Sequence, residues 1–267
     1  MDISEELLHS TIRIETNIGS GTGFFFDFAP DNNSSIPCLV TNKHVINGAS
    51  QGLLIFAWRN VDGNPVQDKY SITIDAFDKD WILHPEDDVD LCIYPLAPIL
   101  NMVHSNGVDL FFKALNRFLI PSEEVIDNLS HIETITMIGY PNGLWDEFNG
   151  LPIVRAGITA TPFKYDYLGQ PEFVIDAACF PGSSGSPVFI FNQGGYSDGN
   201  GFAVGSRLLF LGVLHSGPTI NARGDITINT SAVPHVETQM MINLGNVVKS
   251  KKLLDFDSLL GIGQSES

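Results

Sequence analysis

Positive charge is scarce in this sequence. Its 267 residues hold 14 Lys and Arg against 31 Asp and Glu, a formal net charge of −17 at pH 7. A nucleic-acid surface needs clustered Lys and Arg to displace phosphate counterions, so DNA, RNA and anionic membrane surfaces are set aside as partners. Cysteine is scarce too. Cys38, Cys92 and Cys179 are odd in number, far apart and set in apolar runs, which suits buried thiols in a reducing compartment. Neither a disulfide framework nor the close spacing of a zinc site is present, and no metal or cofactor is expected. No apolar run approaches the roughly 20 residues of a membrane-spanning helix. The opening Met1-Asp2-Ile3-Ser4-Glu5-Glu6 lacks the positive segment and apolar stretch of a secretory signal. A soluble, cytoplasmic protein is the expectation.

What is present argues for a packed fold. Hydrophobic residues make up 43% and charged residues 17%, so the acidity is spread over a folded surface and is not a disordered tail. The length allows one large domain or two small ones. With 25 Gly and 15 Pro, the chain favours short strands over long helices. Thr11–Glu15, Gly23–Phe26, Cys38–Thr41, Leu53–Phe56 and Ser71–Ile74 are β-prone and separated by Asp, Asn, Gly and Pro. A second series covers Thr134–Gly139, Ile153–Ala160, Phe173–Ala177, Pro187–Phe191, Leu208–Leu214 and Asp225–Asn229. This rhythm predicts an antiparallel barrel or sandwich. Between the series, 98–130 reads as helical turns and loop, including Phe111-Phe112-Lys113-Ala114-Leu115. Val236–Leu254 is apolar at about helical spacing and predicts a C-terminal helix. The Gly-rich stretch 193–201 predicts an exposed loop.

Three segments carry chemistry. Phe180-Pro181-Gly182-Ser183-Ser184-Gly185-Ser186-Pro187 sets a serine in a glycine-flanked turn before an apolar strand, where backbone N–H groups can converge beside a hydroxyl. A serine hydroxyl needs a base, and the base needs a third group to hold its tautomer. His44 follows the apolar run Leu39-Val40-Thr41 and precedes the turn Asn47-Gly48. Asp90 closes an acidic cluster and is flanked by Val89 and Leu91, so its carboxylate is placed for partial burial.

The order His44, Asp90, Ser184 resembles that of the chymotrypsin-like (trypsin-fold) serine peptidases, and most of all the protease domain of bacterial HtrA/Deg-type enzymes. Gly19–Phe24 resembles the opening strand, Val40–Ile46 the His motif and Asp90–Ile93 the Asp motif. Ile138–Gly143 and Val154–Ile158 resemble the first strands of the second barrel, and Ile175–Pro187 the Ser motif. The resemblance implies an all-β fold of two antiparallel six-stranded β-barrels with, here, a C-terminal helix. Its division would be a first barrel in 1–110, a connection in 111–130, a second barrel in 131–235 and a helix and tail in 236–267. It implies a serine endopeptidase acting through an acyl-enzyme, with His44 as base, Asp90 orienting it, Ser184 as nucleophile, and the N–H groups of Gly182 and Ser184 as oxyanion hole.

Departures narrow the expectation. Trypsin-type zymogens mature when a new N-terminus pairs with an aspartate just before the nucleophile, but that residue here is Ser183. Activity would then depend on a nucleophile loop that is already ordered, or is ordered by an activating partner. The stretch after Gly217 is too short for the PDZ domain usual in the HtrA type, so a stand-alone peptidase domain is expected. Ala178 stands where Lys/Arg-specific enzymes carry a pocket aspartate, so the protein or peptide substrate would offer a small or apolar P1 residue. His215, Ser216 and Gly217 resemble the strand that walls that pocket. His215 would either recognise an acidic or amide P1 group or bond to backbone as an edge-strand histidine. Two rivals are weighed. An α/β-hydrolase drawing on Ser184, Asp225 and His235 lacks the Gly-x-Ser-x-Gly elbow. A catalytically silent trypsin-fold binding or regulatory module remains open. The oligomeric state is not legible.

Overall fold

The computed structural model describes residues 1–30, 35–59, 63, 65–197, 201–217, 219–225 and 235–263, with side chains excluded for 65, 67, 219–225 and 235–241. Helix α1 (Ile3–Leu8) is capped by Asp2, whose Oδ1 accepts the Glu5 N–H at 2.9 Å. There follow β1 (Thr11–Thr16), β2 (Gly19–Asp27), β3 (Pro37–Thr41), the one-turn helix α2 (Lys43–Ile46), β4 (Gln51–Arg59), β5 (Pro65–Asp75), β6 (Ile82–Leu83) and β7 (Cys92–Pro95). Helix α3 (Ala97–Ser105) leads to β8 (Leu110–Phe111), β9 (Leu115–Asn116) and α4 (Glu123–Asp127). The second half holds β10 (Thr134–Gly139), β11 (Ile153–Thr159), β12 (Glu172–Asp176), β13 (Pro187–Asn192), β14 (Gly195–Ser197), β15 (Phe202–Val204), β16 (Arg207–Ser216), β17 (Thr219–Asp225), β18 (His235–Met241) and β19 (Leu244–Lys249). No helix among the described residues is long and apolar enough to cross a membrane.

The second half closes as expected into a six-stranded barrel, in the order β10-β11-β12-β19-β16-β13. In the first half, a second closed barrel is not found among the described residues. Its strands form one sheet in the order β5-β4-β1-β2-β3-β7-β6, with β8 on β4 and β9 on β2, and the end strands β5 and β6 are not paired with each other among the described residues. β6 spans two residues and already pairs with β7, which leaves little ladder for closure.

Three local readings are also corrected. Leu110–Phe111 and Leu115–Asn116 are short strands and not helical turn: Leu110 and Phe111 pair with Trp58 and Ala57, and Leu115 lies parallel to Phe26, so part of the expected connection belongs to the first sheet. The expected C-terminal helix is instead β18, β19 and a 3-10 segment at Ser250–Ser258. The Gly-rich stretch contributes β14 and, with β15, a small hairpin. Of the expected strand Asp225–Asn229, only Asp225 lies within the described residues, as the end of β17.

Burial explains the elements. Phe25 of β2 enters the core of the first sheet with Ile12, Leu39, Leu54 and Phe56. Its neighbours Phe24 and Phe26 point the other way, into a junction core with Ile138, Phe189, Phe210, Val248 and Phe256. Both faces of β2 are therefore covered, and its run of three Phe shows no alternation. Phe24 and Phe210 meet edge to face at 5.4 Å between centroids. Each fully buried Phe contributes about 1.5–3 kcal/mol relative to exposure, so this seam holds the two halves firmly. A third core fills the closed barrel with Ile135, Met137, Phe173, Ile175, Val188 and Leu211.

Candidate active site

His44 sits in α2, directly after β3. Its backbone N–H donates to Asp90 Oδ1 at 3.1 Å, and its Nδ1 lies 2.5 Å from Asp90 Oδ2. Asp90 is held from behind as well: the side chain of buried Asn42 donates to the Asp90 carbonyl at 2.7 Å. Val89 and Leu91 are buried on either side, which presses the carboxylate toward the imidazole. Burial opposes ionisation of Asp90, but the His44 side-chain hydrogen bond, the His44 charge, the His44 N–H and His215 together outweigh it. The carboxyl ends below its ordinary pKa. The His44 ring is 49% exposed, so its other nitrogen is open to a reactant. A surface cavity of about 600 Å³, lined in part by Lys43, His44, Leu83, Asp87 and Asp90, opens beside it.

Ser184 arrives from the other half at the end of a tight turn. The Ser183 N–H donates to the Phe180 carbonyl at 3.0 Å, with Pro181 second and Gly182 third at φ +83°. That is a type II turn with proline and glycine where its dihedrals favour them. The Pro181 carbonyl accepts the Asn142 N–H at 2.6 Å. Because carbonyl and N–H of a trans peptide point in opposite directions, the Gly182 N–H is aimed away from Asn142. The N–H groups of Gly182 and Ser184 have no partner among the described residues, the condition in which two donors can receive a developing oxyanion.

The Ser184 backbone is fixed across the junction. The Thr22 N–H donates to the Ser184 carbonyl at 2.8 Å, the Thr22 hydroxyl donates to the Gly182 carbonyl at 2.9 Å, and that same hydroxyl accepts the Tyr140 N–H at 3.0 Å. Gly185, at φ +88°, lies so close to β2 that a Cβ would stand 1.9 Å from the Thr22 carbonyl oxygen. The Ser184 hydroxyl donates to the His215 carbonyl at 3.3 Å, and no hydrogen bond joins the Ser184 and His44 side chains among the described residues.

The remaining expected residues fall around this turn. Ala178 is half-buried, and its carbonyl accepts from Arg155. Ser216 ends β16, where Asn246 donates to its hydroxyl at 3.3 Å, and Gly217 follows half-buried. His215 lies at a register shift between β16 and β19. Its Nδ1 is 3.9 Å from Asp90 Oδ2, and its Nε2 is 3.1 Å from Glu172 Oε1 without the alignment of a hydrogen bond. Thr22, Asn142, Arg155 and Glu172 all touch the site; the first three lie in the stretches Gly19–Phe24, Ile138–Gly143 and Val154–Ile158 that carry the resemblance, but no individual role was read for them, and nothing local marked Glu172. Asn142 adopts φ +50° in its turn. Among the described residues, no group of three or more His, Cys, Asp or Glu could hold a metal ion.

A family model described as a trypsin-like peptidase domain matches residues 21–195, a segment that includes His44, Asp90 and Ser184. This chain belongs to the trypsin-like peptidase family. It is accordingly a serine-class peptidase, an enzyme that hydrolyses peptide bonds. No curated protein matches it. Similar solved structures include Rv3671c from M. tuberculosis H37Rv in an inactive mutant form, at 15% identity and a TM-score of 0.46, covering 99% of this chain and 92% of that one. The protease domain of MamO from Magnetospirillum magneticum gives 10% identity and 0.45, covering 94% and 97%. The HtrA-type protease AlgW with a decapeptide gives 15% identity and 0.45, covering 97% and 66%.

Proposed function

We propose that this trypsin-like peptidase is an endopeptidase that cleaves through an acyl-enzyme on Ser184, with His44 as general base and acid and Asp90 as its orienting carboxylate. The supporting observation is that the N–H groups of Gly182 and Ser184 have no partner among the described residues, with the Gly182 N–H facing away from a Pro181 carbonyl already bonded to Asn142. In this reading Ser184 rotates from the His215 carbonyl to His44 Nε2, loses its proton there and attacks the substrate carbonyl. The oxyanion takes the two N–H donors, each worth on the order of 3 kcal/mol in the transition state. As the tetrahedral intermediate collapses, His44 returns the proton to the leaving amine. A water then repeats the sequence to free the acid.

Substrate choice follows from the pocket walls. With Ala178 in place of a pocket aspartate and Ser216 and Gly217 alongside, Lys and Arg are not favoured, and a small or apolar P1 residue of a protein or peptide fits best. The Ser184 bond to His215 favours one second reading, a resting or silent form in which the base and nucleophile are apart. Fluorophosphonate labelling together with peptide-library cleavage separates the two. Labelling and cleavage that vanish in Ser184→Ala support the peptidase mechanism; a folded protein that neither labels nor cleaves overturns it.

A further inference from the structure

We infer that Arg155 is a positioning residue for the oxyanion hole, a cation supplied from within the chain that holds the nucleophile loop in its type II turn. The inference rests on the peptidase mechanism proposed above for its consequence in catalysis, and on geometry alone for its consequence in the loop.

Arg155 projects from β11, where it pairs in register with Met137 of β10, so its backbone is part of the closed barrel. One of its terminal nitrogens donates to the Ala178 carbonyl, and the other donates to Ser183 Oγ at 2.8 Å. Ser183 is fully buried, and its Oγ also accepts the Phe180 N–H at 3.3 Å. One planar guanidinium thus ties the pocket floor at Ala178 to the residue before the nucleophile, and through Ser183 to the first residue of the turn. Lys has no such fork.

The turn needs a clamp because of its glycine. Gly182 accepts positive and negative φ at similar cost, so the 181–182 peptide can rotate and point the Pro181 carbonyl where the Gly182 N–H now points. That rotation would replace a donor of the oxyanion hole with an acceptor. Two contacts oppose it: the Asn142 N–H on the Pro181 carbonyl, and the Arg155–Ser183 bond that fixes the far end of the turn.

The charge arrangement is otherwise hard to explain. Arg155 is half-buried, makes no ion pair among the described residues, and meets a carbonyl and a hydroxyl, with the Cys179 thiol nearby. A cation withdrawn from water without a counter-ion costs stability, so its retention here is consistent with a role in the loop. Ser183 also occupies the position where trypsin-type zymogens place the aspartate that meets a newly cut N-terminus. The Arg155–Ser183 contact needs no cut.

Arg155→Ala, Arg155→Lys and Ser183→Ala, compared with the parent chain and Ser184→Ala, test this. In crystals of Arg155→Ala, or of Arg155→Lys if the first fails to fold, the 180–183 turn is expected to lose the Ser183–Phe180 bond and rotate the 181–182 peptide. An unchanged turn overturns the inference, whether or not the parent chain cleaves peptides. In kinetics, Arg155→Ala is expected to lose about 100-fold in kcat, as for removal of an oxyanion donor, with KM altered far less. Added guanidinium should restore part of kcat to Arg155→Ala and none to Ser184→Ala. A folded Arg155→Ala with parental kcat overturns the inference, while a parent chain without Ser184-dependent cleavage would instead sink the peptidase mechanism and leave the turn geometry as the deciding result.

Discussion

Thr22 holds Ser184 from the opposite half of the molecule: its N–H donates to the Ser184 carbonyl at 2.8 Å, while its hydroxyl bridges Gly182 and Tyr140. The residue is fully buried, so none of these bonds can be replaced by solvent. Thr22→Val keeps the shape and removes the hydroxyl, orphaning the Gly182 carbonyl and the Tyr140 N–H. A loss of about 2–6 kcal/mol is expected in urea denaturation, from two buried groups at about 1–3 kcal/mol each. Peptidase activity should fall with it, even under conditions where the variant remains folded.

Gly182→Ala tests the turn itself. The new Cβ would stand 2.7 Å from the Tyr140 carbonyl oxygen, and alanine is strained at φ +83°. A drop in kcat/KM of about 100-fold with an unchanged circular dichroism spectrum is the expected result. Parental activity would mean that the turn accommodates the new Cβ without moving this N–H.

Asp90 carries a pH signature. Its folded pKa is lowered, so its contribution to stability is present above the ordinary carboxyl range and disappears as pH falls through the depressed folded value. The parent chain should therefore exceed Asp90→Asn in stability at pH 7, and urea midpoints for the two should converge on acidification. A gap independent of pH would contradict this account.

The three thiols should be inert in the folded chain. Cys38, Cys92 and Cys179 are buried; burial pushes Cys38 up to about 12 and Cys179 up to about 11, and raises Cys92 as well. Iodoacetamide at mildly alkaline pH should add nothing to native protein and three groups in urea, as counted by mass spectrometry. Labelling of native protein would place a thiolate at the surface.

Arg207 and Glu133 form a largely buried ion pair at 2.7 Å, and Glu133 also accepts the Ser130 N–H. Arg207→Met should cost about 3 kcal/mol by stranding the carboxylate, and Glu133→Leu added to it should recover part of that loss. Additive losses in the double variant would show that the two do not act as a pair.

The residue order His44, Asp90, Ser184 and most strands were legible because each signal is local: an apolar run, a turn residue, a glycine-flanked serine. The C-terminal part misled for a physical reason. In β19, Leu244, Val247 and Val248 fall at helix-like spacing, yet Val247 enters the barrel core while Val248 enters the junction core. A strand buried on both faces loses its alternation and reads as a helix. The roles of Arg155 and Glu172 were not legible, although Arg155 lies in the quoted stretch Val154–Ile158, since an arginine or glutamate in a strand is ordinary until the fold brings the Ser184 loop or His215 beside it. Whether the first sheet closes was equally hidden, because closure depends on where two distant edge strands meet.

The three consecutive phenylalanines of β2 also determine how the molecule can be divided. A chain severed between Asn116 and Thr134 would leave Phe24 and Phe26 facing water on one fragment and Phe189 and Phe210 on the other. Such fragments are poor candidates for independent folding and good ones for complementation, each acting as the template that completes its partner.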